Sequence, residues 1–249
     1  MPEAPPAYLR VAARIRERIG TRELPVGTRL PTENQLMREH GVSRTVIRYA
    51  MNQLRGEGLI VGRQGSGNYV AQQRRLVREG HLRDQREQGG STSPFARDAD
   101  RAGLGSGWEH ESTPGQASAE VAERLGIEPG DPVMVTRYRF LADTVPIQLS
   151  TSWEPLALTG GTPVELPEAG AAVGVVARMD LIGVRIDECT EKVTTRPARP
   201  DEVTALNLPL RGPHILAIER TYRAAGRPVE TADIVLSSRY ELIYRYPVD

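Results

Sequence analysis

The sequence predicts an α+β chain of two domains, a small helical unit closed by a β-hairpin and a larger unit on a largely antiparallel sheet. Three observations carry that reading. Apolar residues recur at spacings of three and four across residues 8–54, the period of helices with one buried face. Apolar runs of strand length, several joined by hairpin-sized gaps, fill residues 133–246. The charge divides between the halves: residues 1–75 hold 13 Arg against 6 Glu, and residues 76–249 hold 19 basic against 26 acidic side chains. A basic third joined to an acidic remainder suggests that only the first part meets a polyanion.

Length and composition bound the rest. A chain of 249 residues accommodates two domains, and 39% hydrophobic content is ordinary for a globular protein. No apolar run approaches the roughly 20 residues of a membrane span. Met1-Pro2-Glu3 does not begin a basic-then-apolar signal, so a cytoplasmic location with no membrane partner is expected. Cys189 is the single cysteine, which excludes an internal disulfide framework and cannot by itself make a thiolate metal site; it is expected as a buried structural thiol. No phosphate-binding loop or His-Glu metal motif occurs, and no cofactor or metal is expected.

In chain order, Tyr8, Val11, Ala12, Ile15 and Ile19 form the stripe of a first helix. Leu24-Pro25-Val26-Gly27 reads as a turn. Thr32-Glu33-Asn34-Gln35 has the form of a capping box and starts a short second helix that Gly41 can end in a left-handed conformation. Ser43 caps a third helix, in which Ile47, Ala50, Met51 and Leu54 face a core while Arg44, Thr45, Arg48 and Asn52 face outward. Leu59-Ile60-Val61 and Tyr69-Val70 flank Gly62–Asn68 and form a hairpin. Two helices joined by a Gly-Val-Ser turn and followed by a hairpin make a winged helix-turn-helix. Its second helix would enter a DNA major groove, where arginine can pair bidentately with guanine and a threonine methyl can touch thymine.

These residues carry a resemblance. Leu30-Pro31-Thr32-Glu33, Gly41–Arg48, Leu54–Ile60 and Gly65-Ser66-Gly67-Asn68-Tyr69-Val70, in uninterrupted order over residues 8–71, resemble the winged-helix domain of GntR-type transcriptional regulators. The resemblance implies DNA contact by Arg44, Arg48 and the glycine-rich wing at Gly65. Where many members carry arginine after the glutamate of the second helix, this chain has Asn34. The expected DNA-facing set is Asn34, Ser43, Arg44, Thr45 and Arg48 with Gln64, Gly65 and Ser66, although Ser43 taken alone reads as a cap.

Residues 1–75 are thus expected as the DNA-binding domain, 76–92 as a charged, glycine-rich linker with a helical start, and 93–249 as the second domain. There Ser118 to Leu125 reads as a helix ended by Gly126. Strands are expected at Val133–Leu141, Val145–Trp153, Val184–Thr195, Ile215–Ala224, Val229–Leu236 and Glu241–Tyr246, with helical stretches near Ala171–Leu181 and Asp201–Leu206. Ala122–Gly126, Pro129–Val133, Arg137-Tyr138-Arg139, Val145-Pro146-Ile147, Ser150–Pro155 and Gly226–Glu230 are similar to the UTRA effector domain of the HutC branch, which has the chorismate-lyase fold. That likeness implies a small-molecule effector and a homodimer, hence a regulator of the repressor kind on an inverted-repeat operator.

Alternation puts Met134, Thr136, Tyr138 and Phe140 on one face of their strand, and Val133, Val135, Arg137 and Arg139 on the other. Two neighbouring guanidinium groups suit a phosphate or carboxylate; solvent-facing arginines matched to acids are the alternative. Glu230 shares a face with Ala232, Ile234 and Leu236, an odd place for a carboxylate unless a ligand hydroxyl or an arginine such as Arg220 pairs with it. From the resemblance, Ser93 corresponds to a loop that closes on ligand phosphate, and Ser150 stands where some sugar-phosphate sensors carry an acid. Ser93, Arg137, Arg139, Ser150 and Glu230 are therefore the expected contacts of an anionic effector. The alternatives are a second domain that only dimerises and a lyase-like enzyme; His110 and His214, its only histidines, have no patterned partner.

Overall fold

A computed structural model describes residues 5–63, 65–71, 75–80, 93–170, 172–208 and 213–245. The chain divides into two compact units, Met1–Arg74 with Asn207–Pro213, and Arg75–Leu206 with His214–Asp249. No helix among the described residues is long and apolar enough to cross a membrane.

The first unit holds α1 (Ala7–Gly20), α2 (Glu33–His40), α3 (Arg44–Gly56) and the hairpin of β1 (Ile60–Arg63) and β2 (Gly67–Val70). The stripes read from the sequence form one core: Val11, Ala12 and Ile15 of α1 and Leu36 of α2 pack with Ile47, Ala50, Met51 and Leu54 of α3, and Ile60 and Val70 anchor the hairpin. The capping box is made, with Gln35 N donating to Thr32 Oγ1 at 3.3 Å and Thr32 N donating to Gln35 Oε1 at 2.8 Å. Gly41 then turns the chain at φ +62°, a conformation any side chain would strain, so α3 leaves at a fixed angle. Arg16 clamps Glu57 with bonds of 2.9 and 2.6 Å, fixing α1 to the end of α3.

The second unit contains β3 (Leu76–Glu79), α4 (Pro94–Arg101), β4 (Ser106–Gln116), α5 (Ala119–Leu125), β5 (Pro132–Ala142), β6 (Val145–Pro155), α6 (Leu156–Thr159), α7 (Val175–Leu181), β7 (Glu188–Pro197), α8 (Pro200–Ala205), β8 (His214–Ala224), β9 (Arg227–Leu236) and β10 (Tyr240–Ile243). Six strands form one antiparallel sheet in the order β4-β5-β6-β9-β8-β7. On one face Ile147, Ile218, Ala232, Ile234 and Leu236 pack with Phe95 and Ala99 of α4 and with Leu76 and Tyr240. On the other, Val133 and Val135 pack with Val121, Ala122 and Leu125 of α5.

Four differences from the sequence reading have physical causes. Leu76–Glu79, expected as the helical start of a linker, is a strand pairing in parallel with β10, a partner drawn from the far end of the chain; residues 81–92 of that expected linker lie outside the described residues. The strand β4 was not anticipated, because an exposed edge strand containing Gly107, Pro114 and Gly115 shows no apolar alternation. The helix α4 was also missed: Ser93 caps it, accepting from Ala96 N at 3.1 Å, with Pro94 at its first position. Cys189 is exposed rather than buried, since it lies on the edge strand β7.

Candidate functional site

The start of α3 is the first candidate. Arg44, Thr45, Arg48 and Asn52 are exposed on the helix side opposite the core stripe, and Ser43 spends its hydroxyl on the cap. Arg44 Nη2 donates to Asn34 Oδ1 at 2.8 Å, and its Nε lies 3.9 Å from Glu33 Oε2, so two side chains of α2 hold this guanidinium. The wing is tied to α3 by Arg55, which donates to Asn52 Oδ1 at 2.7 Å and to Asn68 Oδ1 at 2.8 Å. Gly65 and Gly67 both adopt positive φ, and a side chain at Gly67 would press on Arg29, its Cβ 3.3 Å from Nε. The Arg63 guanidinium rests 4.4 Å above the Tyr69 ring, whose hydroxyl is 2.6 Å from Ser66 Oγ. Gln64 lies outside the described residues. Arg29, Arg55 and Arg63 were not singled out in the sequence; of the three only Arg63 lies on the glycine-rich hairpin, and that position was the signal available.

The second candidate lies on the sheet face shared by Thr136, Tyr138, Ser150, Ser152, Glu154 and Glu230, placed together by the β5, β6 and β9 registers. Glu230 is fully buried; its Oε1 accepts from Arg220 Nη2 at 3.0 Å, while Oε2 has no hydrogen-bond partner among the described residues. Burial pushes this carboxyl up to about 7, against the pull of Arg220 and with the help of Glu154. Arg178 of α7 grips Glu154 with bonds of 2.6 and 3.0 Å and also donates to the Val164 carbonyl. Glu168 accepts from Tyr138 Oη at 2.9 Å and from Trp108 Nε1 at 3.1 Å. Burial first, then the Glu168 charge, raises the Tyr138 hydroxyl well above its ordinary range, so it remains a donor. Such a face, with one desolvated carboxylate oxygen lacking a donor, is equipped to receive a hydroxyl or amine.

The expected grouping of Arg137 and Arg139 with Glu230 is not formed. Arg137 is in register with Thr151 and, through it, with Asp233, so both arginines stand on the sheet face opposite Glu230, Tyr138 and Ser150. Arg139 donates to the Ala205 carbonyl at 2.8 Å and to Glu109 at 3.0 Å, and Arg137 is exposed. No single small ligand can bridge the pair to Glu230 through the sheet. Ser93 is buried at the start of α4 with its hydroxyl used as a cap.

Comparisons with known proteins give matches for both parts of the chain. Residues 7–70 match the bacterial regulatory proteins of the gntR family, and residues 110–240 match the UTRA domain. The chain is 30% identical over 236 residues to the HTH-type transcriptional regulator Rv0792c of Mycobacterium tuberculosis, covering 90% of this chain and 80% of the relative. It is 24% identical over 251 residues to the HTH-type transcriptional repressor NagR of Bacillus subtilis, covering 96% and 94%. A solved structure of a GntR-family transcriptional regulator superposes with a TM-score of 0.63 at 44% identity, covering 98% of each chain. PhnF of Mycobacterium smegmatis shares the fold, with a TM-score of 0.60 at 18% identity over 96% of this chain and 100% of that one.

Proposed function

We propose, since this chain belongs to the gntR family of bacterial regulatory proteins and carries a UTRA domain, that it represses transcription as a homodimer and is released from its operator by a small molecule. The protein is a DNA-binding transcriptional regulator with an effector-binding domain. We assign DNA binding to residues 1–75 and effector binding and dimerisation to 93–249, and place the protein in the cytoplasm with the DNA it reads. One recognition helix offers few base contacts, which favours a two-fold dimer on an inverted repeat. The name of the matched repressor NagR supports repression over activation.

The single observation behind the effector site is the unpartnered Oε2 of buried Glu230. The effector presents a hydroxyl or amine to it, with Ser150 and Tyr138 on the same face. An acidic group on that effector would be met by Arg220, which lies within reach, rather than by Arg137 and Arg139. A thermal-shift screen against metabolites tests this, because a ligand at 100 times its dissociation constant adds about 2.7 kcal/mol to stability. The hit should release operator DNA and should lose its shift in Glu230→Gln. A shift that persists undiminished in that variant places the site elsewhere.

A further inference from the structure

The first unit contains a cavity of about 360 Å³ that neither the exposed face of α3 nor the wing uses. One wall is α1, where Arg10, Val11 and Arg14 fall on one helix face; the other is the last turn of α2, with Glu39 and His40, closed by Val42. His40 Nε2 is buried and has no hydrogen-bond partner among the described residues, 3.8 Å from Glu39 Oε1. Arg10 commits one nitrogen to the Pro5 carbonyl at 3.2 Å, and Arg14 one to exposed Glu17 at 3.5 Å, which leaves each guanidinium further N–H donors. Glu39, the one acid lining the cavity among the described residues, is already held by Arg18 at 3.2 Å. The remaining charge is positive, and the remaining polar groups can donate.

We propose that Arg10, Arg14 and His40 form an oxyanion site that takes a phosphate of the DNA backbone. Its place favours the backbone as the source: Val42 lines the cavity and stands two residues before Arg44, so the site lies at the entry to the recognition helix. A docked helix-turn-helix brings sugar-phosphate to its flanks, and such contacts fix register without reading sequence. The inference goes beyond the base-reading role given to α3 and does not depend on which effector binds.

The test uses the full-length protein and an operator selected from random duplexes, with a random duplex as control. Arg10→Ala/Arg14→Ala, both at exposed positions, should weaken binding equally on the two DNAs and lower the salt slope by about 1–2. The second arm is His40→Gln, which should weaken binding by the same factor on the two DNAs. An unchanged salt slope in the double variant, or a His40→Gln loss confined to the operator, overturns the proposal. Inorganic phosphate supplies the remaining arm: if it raises the melting temperature of the wild type but not of the double variant, while the salt slopes agree, the site takes a free oxyanion and the DNA assignment fails.

Discussion

Arg44 at the first turn of α3 donates to Asn34 on α2 across 2.8 Å, so the residue best placed to read a base is held by a side chain from the neighbouring helix. On the proposed reading, in which Arg44 contacts a base, Asn34 positions its guanidinium. Asn34→Ala should widen the base preference at the position that Arg44 reads while leaving the salt slope unchanged. Competition among operator variants measures this; an unaltered preference with a lower slope would make Asn34 a phosphate contact instead.

Arg44 and Arg48 both project from the exposed side of α3. Replacing either with alanine should cost about 1–3 kcal/mol on the specific site and far less on random DNA. Titration of the two DNAs at one salt concentration decides; equal losses would reduce these residues to backbone contacts.

Glu230 makes stability depend on pH. Its carboxyl is raised to about 7 in the folded protein, chiefly by burial, against about 4.3 for an unfolded glutamate. Between these values the folded state holds the extra proton, so this contribution is fully present below about 4.3 and is lost as pH rises through 7. Glu230→Gln cannot lose that proton. Its stability relative to wild type should grow by on the order of 2–3 kcal/mol from pH 5 to pH 8, measured by urea unfolding. A constant difference would show that Glu230 titrates normally.

The Glu154–Arg178 pair is almost wholly buried, with bonds of 2.6 and 3.0 Å. Breaking it from one side leaves an uncompensated charge, so Arg178→Met should destabilise the protein by about 3–5 kcal/mol. Adding Glu154→Leu to that variant should restore part of the loss. Urea midpoints of the three proteins check both statements.

Local pattern made much of the DNA-binding unit legible. The stripe Ile47, Ala50, Met51 and Leu54 and the capping box at Thr32 depend only on residues within one turn or two of each other, and they fold as read. The bond between Asn34 and Arg44 depends on the angle between two helices, which no spacing encodes. In the sheet, alternation along β5 separated Arg137 from Tyr138 correctly, but the faces of β5 and β9 are related by register between strands. A slip of one residue inverts that relation, which is why Glu230 was grouped with the wrong neighbours of Tyr138. Edge strands such as β4, with glycine, proline and exposed side chains, owe their existence to a partner strand rather than to their own composition.

Binding-site selection from random duplex DNA with the full-length protein tests the proposed dimeric, sequence-reading regulator most directly. The enriched sequence should be an inverted repeat with half-sites about 10 base pairs apart, and Arg44→Ala should blur one position in each half. Recovery of an asymmetric single site, or of no preferred sequence, would contradict it.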